Sequence, residues 1–303
     1  MLHLYSVIWR FTGRRQILLI LLSFAIAALA AAPLKFQQKI INMLSGGSGD
    51  LGPVLVLGAG MFGVILLSLA LKWVLGYSSG LLGEDVVRTI RQRLVASART
   101  REDSNLPISA GTLSTAISAE AEEIGGFVGS AFSEPIMQIG TLISVIGFVT
   151  ATQPRLGIVA LAMIIPQIII VVVTQRQVNR LVGERVRRLR AATNKLTAED
   201  LQAVEQEMLA DFDSIYGTRK SIYKWKLSTK FLLSAIGGAG TVTVLLLGGW
   251  LVLEGRSDVG TLVAALTALG RLQGPTNVLI AFFRMLSANR VKFDLLQTLM
   301  RPQ

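Results

Sequence analysis

Two ionisable side chains stand inside stretches that are otherwise apolar: Glu134 in the run 125–150 and Arg271 in the run 259–285. A lone carboxylate and a lone guanidinium do not make a hydrolytic centre; what they can do is bind an opposite charge. At about 1.5 Å per residue, Arg271 lies about 18 Å into its run and Glu134 about 13 Å into its own, counted from opposite sides. The two are therefore at similar depth. Either they pair with each other, or they line a wet cavity that receives a charged substrate, since intramembrane charges avoid lipid. Lys35, Gln38 and Lys39 form a second polar group, which either lines an outward-facing cavity or snorkels to headgroups. Little else in the chain carries chemistry. There is no cysteine and a single histidine, His3, so thiol catalysis, disulfides and cysteine metal sites are excluded. No carboxylate pair, metal cluster or nucleophile constellation is present, and no cofactor is expected on this chain.

The elements that must position these groups are membrane helices. Of 303 residues, 51% are hydrophobic and only 16% charged, well short of the quarter or so that a soluble domain carries. Six apolar segments follow, at about 16–41, 54–75, 125–150, 156–174, 231–253 and 259–285, most of them about 20 residues long, enough for a hydrocarbon core of roughly 30 Å. Because the runs are continuous and do not alternate, a β-barrel is excluded. The net charge of +11 raises the question of nucleic acid, but most Lys and Arg fall on one side of the predicted spans. That is the positive-inside distribution, with anionic lipid as the neighbour and both termini cytoplasmic. A bacterial inner membrane is the expected location. Pro33 predicts a kink in the first span, and Pro135, Pro166 and Pro275 predict kinks or freed carbonyls in later ones. Gly76 with Gly80, and Gly125 with Gly129, have the small-xxx-small spacing that lets helix backbones approach.

Two long polar excursions, about 76–124 and 175–230, leave the same side. The second holds twelve Lys or Arg against seven acids, and residues 184–216 contain neither Gly nor Pro. An uninterrupted helix there would reach up to about 50 Å, less if it bends back. Exposed apolar groups at the tips, Leu106 and Ile108 in the first and Met208, Phe212, Ile215 and Tyr216 in the second, either pack within the arms or meet a partner.

At this point particular residues carry a resemblance. Ala110, Gly111, Thr112 and Leu113 with Glu120 and Ile124, the stretch Pro154, Arg155, Leu156 and Gly157 with Pro166, and Asp213 to Lys220 with Tyr223 and Trp225 occur in order. So do Val259, Gly260, Thr261 and Leu262 with Pro275, and Ala288, Asn289, Arg290 and Val291. The whole resembles the transmembrane domain of an ABC exporter, an all-α membrane fold of six long helices with two intracellular extensions, occupying 1–303 as one domain. Glu120 and Ala116 depart from the usual residues of that pattern. The resemblance implies a permease whose two excursions rest on ATPase domains through short helices near 103–108 and 207–217. It also implies a second transmembrane domain, identical or related, and ATP and Mg²⁺ on the ATPase partner, which is either a separate chain or a continuation of this one. No G-x-x-x-x-G-K-[ST] occurs, so no phosphate cradle is expected here. Leu44, Ser45, Gly46 and Gly47 mimic an ABC signature, but Ser48 follows and the site falls in an outer loop, so it reads as a turn. A stand-alone secondary carrier or a non-transporting regulator of the same fold is the other function class, although no internal repeat is visible. The cargo stays open; a few basic groups suit an amphipathic or anionic one.

Overall fold

Proline sets the first break in the chain. In the computed structural model, which describes residues 2–47, 51–103, 110–195 and 201–300, helix α1 (Leu2–Leu29) stops four residues before Pro33, and α2 (Ala32–Ser45) starts with that proline in its first turn. Pro33 lacks the amide that would bond the carbonyl of Leu29, and its ring crowds that carbonyl. Gly46 and Gly47 then close α2, with Gly47 in the left-handed region at φ +71°. The signature-like stretch is thus a helix terminus.

Helix α3 (Leu51–Asp103) runs 53 residues, about 80 Å, so one element covers both the predicted second span and much of the predicted first excursion. The chain returns through α4 (Ala110–Thr115), a five-residue π-turn (Ala116–Glu120), α5 (Ala121–Ser130) and α6 (Ser133–Thr152). The break between α5 and α6 lies at Ala131 and Phe132, four residues ahead of Pro135, for the same reason as at Pro33. The predicted third span is therefore two helices. Helices α7 (Pro154–Lys195), α8 (Leu201–Leu253) and α9 (Val259–Met300) follow, and no strand occurs among the described residues. Pro166 and Pro275 sit inside α7 and α9 without ending them.

Among the described residues five helical stretches are long enough, and contain a window apolar enough, to cross a membrane; these windows fall within Leu4–Ser45, Leu51–Thr100, Leu113–Thr152, Pro154–Leu189 and Leu209–Leu253. Helix α9, at 42 residues, has the length, but Arg271 and Gln273 dilute its apolar half. The exposed faces are those of a lipid-solvated protein: Leu55, Val56, Trp73 and Phe231 all leave about 70% of their surface uncovered.

By internal packing the chain forms two units, 1–154 with 249–303, and 155–248. In the first, Leu4 and Ile8 of α1, Leu94 of α3, Ile124 and Phe127 of α5, and Phe282, Leu286 and Leu296 of α9 share one core. Helices α3 and α5 touch backbone to backbone. A Cβ on Gly125 would strike Val87 and the carbonyl of Gly83, and one on Gly129 would strike the carbonyl of Ser79. Of the two predicted small-residue pairs, Gly125 with Gly129 packs in this way; Gly76 and Gly80 meet nothing within 4 Å, and Ser79 with Gly83 takes their place on α3. Gln16, fully buried, donates Nε2–H to the carbonyl of Val128 at 2.9 Å, which the break before Pro135 leaves without its regular helical donor.

The π-turn shows the same economy. The Ala121 amide bonds the carbonyl of Ala116, five residues back, and Arg91 of α3 donates Nε–H to the carbonyl of Ile117 at 2.9 Å. Replacing Arg91 by methionine should cost about 1–3 kcal/mol, the penalty for an unmatched, partly buried hydrogen-bonding group. Thermal unfolding in detergent checks this, and lysine, which has no Nε–H in that place, should not restore the loss.

The second unit is a hairpin of α7 and α8. Thr229 Oγ1 donates to Thr174 Oγ1 at 2.8 Å, and Gly240 stands where any side chain would collide with Met163. Eleven residues back along α7 match eleven forward along α8, three turns on each; the helices are antiparallel along one face. The gap-free rod predicted over 184–216 is therefore two helices, α7 ending at Lys195 and α8 starting at Leu201.

Candidate translocation and coupling surfaces

Helix α9 begins at Asp258, whose Oδ1 accepts the Thr261 amide at 2.6 Å and whose Oδ2 accepts the Thr261 hydroxyl at 2.8 Å, an N-cap that fixes the helix start. From there α9 packs along α2 through a polar ladder. Asn42 Oδ1 accepts the Gly260 amide at 2.7 Å, Gln38 Nε2 donates to Thr261 Oγ1 at 2.7 Å, and Gln37 Nε2 donates to Thr267 Oγ1 at 3.0 Å. A Cβ on Gly260 would run into the Gln38 carbonyl. Gln38, expected as a cavity residue, spends its amide holding α2 to α9, whereas Lys35 and Lys39 are exposed. Sequence reading missed Gln37 with its partner Thr267, and Asn42, which accepts the Gly260 amide. Their signal was present, as amides and threonines facing each other across two antiparallel apolar runs.

One stretch of α9 is left uncovered. Gly270, Arg271, Gln273, Gly274 and Asn277 are all exposed. Pro275 has no amide to give the carbonyl of Arg271, four residues before it, so that carbonyl lacks its regular helical donor beside the guanidinium. An apolar helix with a charge, two amides and such a carbonyl in its middle cannot present that stretch to hydrocarbon; it needs water, substrate or another polar surface. Gln273 and Asn277, one turn apart, were also legible in the sequence as a polar pair.

Glu134 and Arg271 do not form an ion pair. Glu134, in the first turn of α6, accepts a hydrogen bond from Gln138 Nε2 at 2.7 Å and is partly buried. The similar depth counted along the sequence does not make the two a pair: Glu134 is engaged by Gln138 on its own helix. Among the described residues Arg271 is exposed and has no carboxylate within ion-pair distance.

The second surface is the far end of the hairpin. Leu209, Phe212 and Tyr216 of α8 are 56%, 45% and 70% exposed, and Ile215 is partly buried. Phe212 and Tyr216, four apart, share a face. Tyr216 precedes the start of the apolar segment at Phe231 by fifteen residues, about 22 Å along the helix, so lipid does not account for its exposure. Met208 lies in α8, but its side chain is outside the described residues, and Leu106 and Ile108 lie outside them altogether. Among the described residues no cluster of His, Asp or Glu could hold a metal ion.

No curated protein matches the chain. A family model does: the one described as the ABC transporter transmembrane region matches residues 16–276. That match covers most of the 303 residues, including the α2–α9 ladder, Arg271 and the whole hairpin. The chain therefore belongs to the ABC transporter transmembrane region family, as an all-helical, multi-pass membrane domain for transport.

Proposed function

We propose that the chain is the permease of an ATP-driven exporter. Two copies, or one copy and a related partner, enclose a pathway bordered by the exposed stretch Gly270–Asn277 of α9. The far ends of α3 and of the α7–α8 hairpin rest on ATPase domains that carry ATP and Mg²⁺. Nucleotide binding favours one arrangement of the arms over the other, and the pathway opens to alternate sides. Both termini face the cytoplasm, where the basic residues gather. The observation that carries this reading is Arg271, exposed in mid-helix with Gln273, Asn277 and a freed carbonyl beside it. A closed structural bundle has no use for such a stretch.

Replacing Arg271 by methionine tests the reading. In the complex assembled with its ATPase and reconstituted in nanodiscs, substrate-stimulated ATP turnover should fall to the unstimulated rate while that basal rate persists. Glu134→Gln, whose partner Gln138 remains, should leave stimulation nearly intact. Unchanged stimulation and transport in Arg271→Met would reduce Arg271 to a structural residue.

A further inference from the structure

A cavity of about 1170 Å³ lies between the first half of α1 and the far half of α3, wholly within the first unit and bounded on a third side by Phe293 and Leu296 of α9. The transport reading makes no use of it. Its wall is apolar, with Ile8, Val86 and Ile90 prominent, while four guanidinium groups stand around it: Arg10, Arg14, Arg15 and Arg93. The one carboxylate among its lining residues, Asp85, is already paired with Arg15, and Arg93 lies over the Phe11 ring at 4.9 Å. Three cations are left over beside an apolar wall.

The level of this cleft in the bilayer follows from surface composition. Along α3 the exposed apolar side chains continue through Trp73, Tyr77 and Leu81, and then Glu84, Asp85 and Arg88 take over the surface. Along α1 they continue back through Leu21, Leu18 and Ile17 to Arg15 and Arg14. The Arg15–Asp85 ion pair joins these two limits and marks the membrane edge. Beyond it Trp9 and Phe11 remain 45% and 64% exposed between arginines, the aromatic and basic mixture of a headgroup layer.

We infer that this cleft holds one anionic phospholipid from the leaflet where α1 enters, its phosphate among Arg10, Arg14 and Arg93 and an acyl chain against the wall of Ile8 and Ile90. An acyl chain removes that wall from water, which a free phosphate ion cannot do. A zwitterionic lipid brings its own cation into a site already in positive excess.

Trp9 lines the cleft and serves as the probe. The full chain, with Trp73, Trp225 and Trp250 changed to phenylalanine, is placed in nanodiscs containing brominated phosphatidylglycerol or brominated phosphatidylcholine. Both leaflets carry the same mixture, and no ATPase is needed, so neither topology nor the exporter reading affects the result. Trp9 emission should be quenched at a lower mole fraction of the glycerol lipid. Arg10→Gln and Arg14→Gln should each weaken that preference about fivefold, the usual worth of one basic group near an anionic surface, and Arg93→Lys should keep it. A form that retains Trp73 as its single tryptophan reports general lipid attraction. The inference fails if the two lipids quench Trp9 alike, or if Trp73 shows the same preference. It fails also if inorganic phosphate restores Trp9 emission, which would make the rim a site for free phosphate.

Discussion

Gly125→Val is expected to be among the most damaging single changes in this chain, and Gly76→Val, drawn from the same sequence motif, to do nothing to the isolated protein. At Gly125 a side chain would enter the space of Val87 and press on the backbone of Gly83, while Gly83 in turn has the Gly125 carbonyl 2.9 Å from where its own Cβ would be. Neither neighbour is the end of a flexible side chain that can swing aside. Overpacking of a well-packed contact costs about 1–3 kcal/mol, and a clash with backbone belongs at or above the top of that range. Gly129→Val should behave alike, against Ser79. The consequence reaches beyond stability. Helices α3 and α5 flank the predicted first excursion, so forcing them apart should also displace its tip. Thermal unfolding of the purified chain in detergent separates the cases. A lowered midpoint for Gly125→Val with none for Gly76→Val is the expected pattern; equal midpoints would mean that the α3–α5 contact is not as described.

The second large effect is expected at the end of the hairpin. Phe212→Asp with Tyr216→Asp should detach the ATPase partner while leaving the chain folded. Both side chains are exposed and precede the apolar run that starts at Phe231 by fifteen residues or more, so charging them costs the isolated protein little. If they seat in the ATPase, each is a buried aromatic anchor, and losing such an anchor costs about 2 kcal/mol or more, roughly thirtyfold in affinity. The measurement is the ATPase content of the complex purified from its native membrane, with the thermal midpoint of the chain as the folding control. Retention of the ATPase at full occupancy would move the coupling surface elsewhere. Loss of the ATPase together with a lowered midpoint would show that these residues pack within the arm instead.

Composition and the order of apolar runs were enough to read the class of molecule, an all-helical membrane protein. Apolar runs of membrane-spanning length between basic ends admit few structures, because the bilayer forces backbone groups to bond within each segment. The break at Pro33 was likewise local, decided by a missing amide and a ring. Other features were not local. Pro135 ends a helix whereas Pro166 and Pro275 do not, although the covalent defect is the same; after Pro135 the buried Gln16, more than a hundred residues away, supplies a donor to Val128. Two glycine pairs with identical spacing have opposite roles, since spacing makes close approach possible and only a facing helix makes it happen. Gln38 and Arg271 were both candidate lining residues in the sequence; Thr261 takes the amide of the first, whereas the second is exposed among the described residues. Depth within the membrane could be counted residue by residue, but the side of each helix that meets a neighbour is set by how whole helices cross, and that is a property of the assembled bundle.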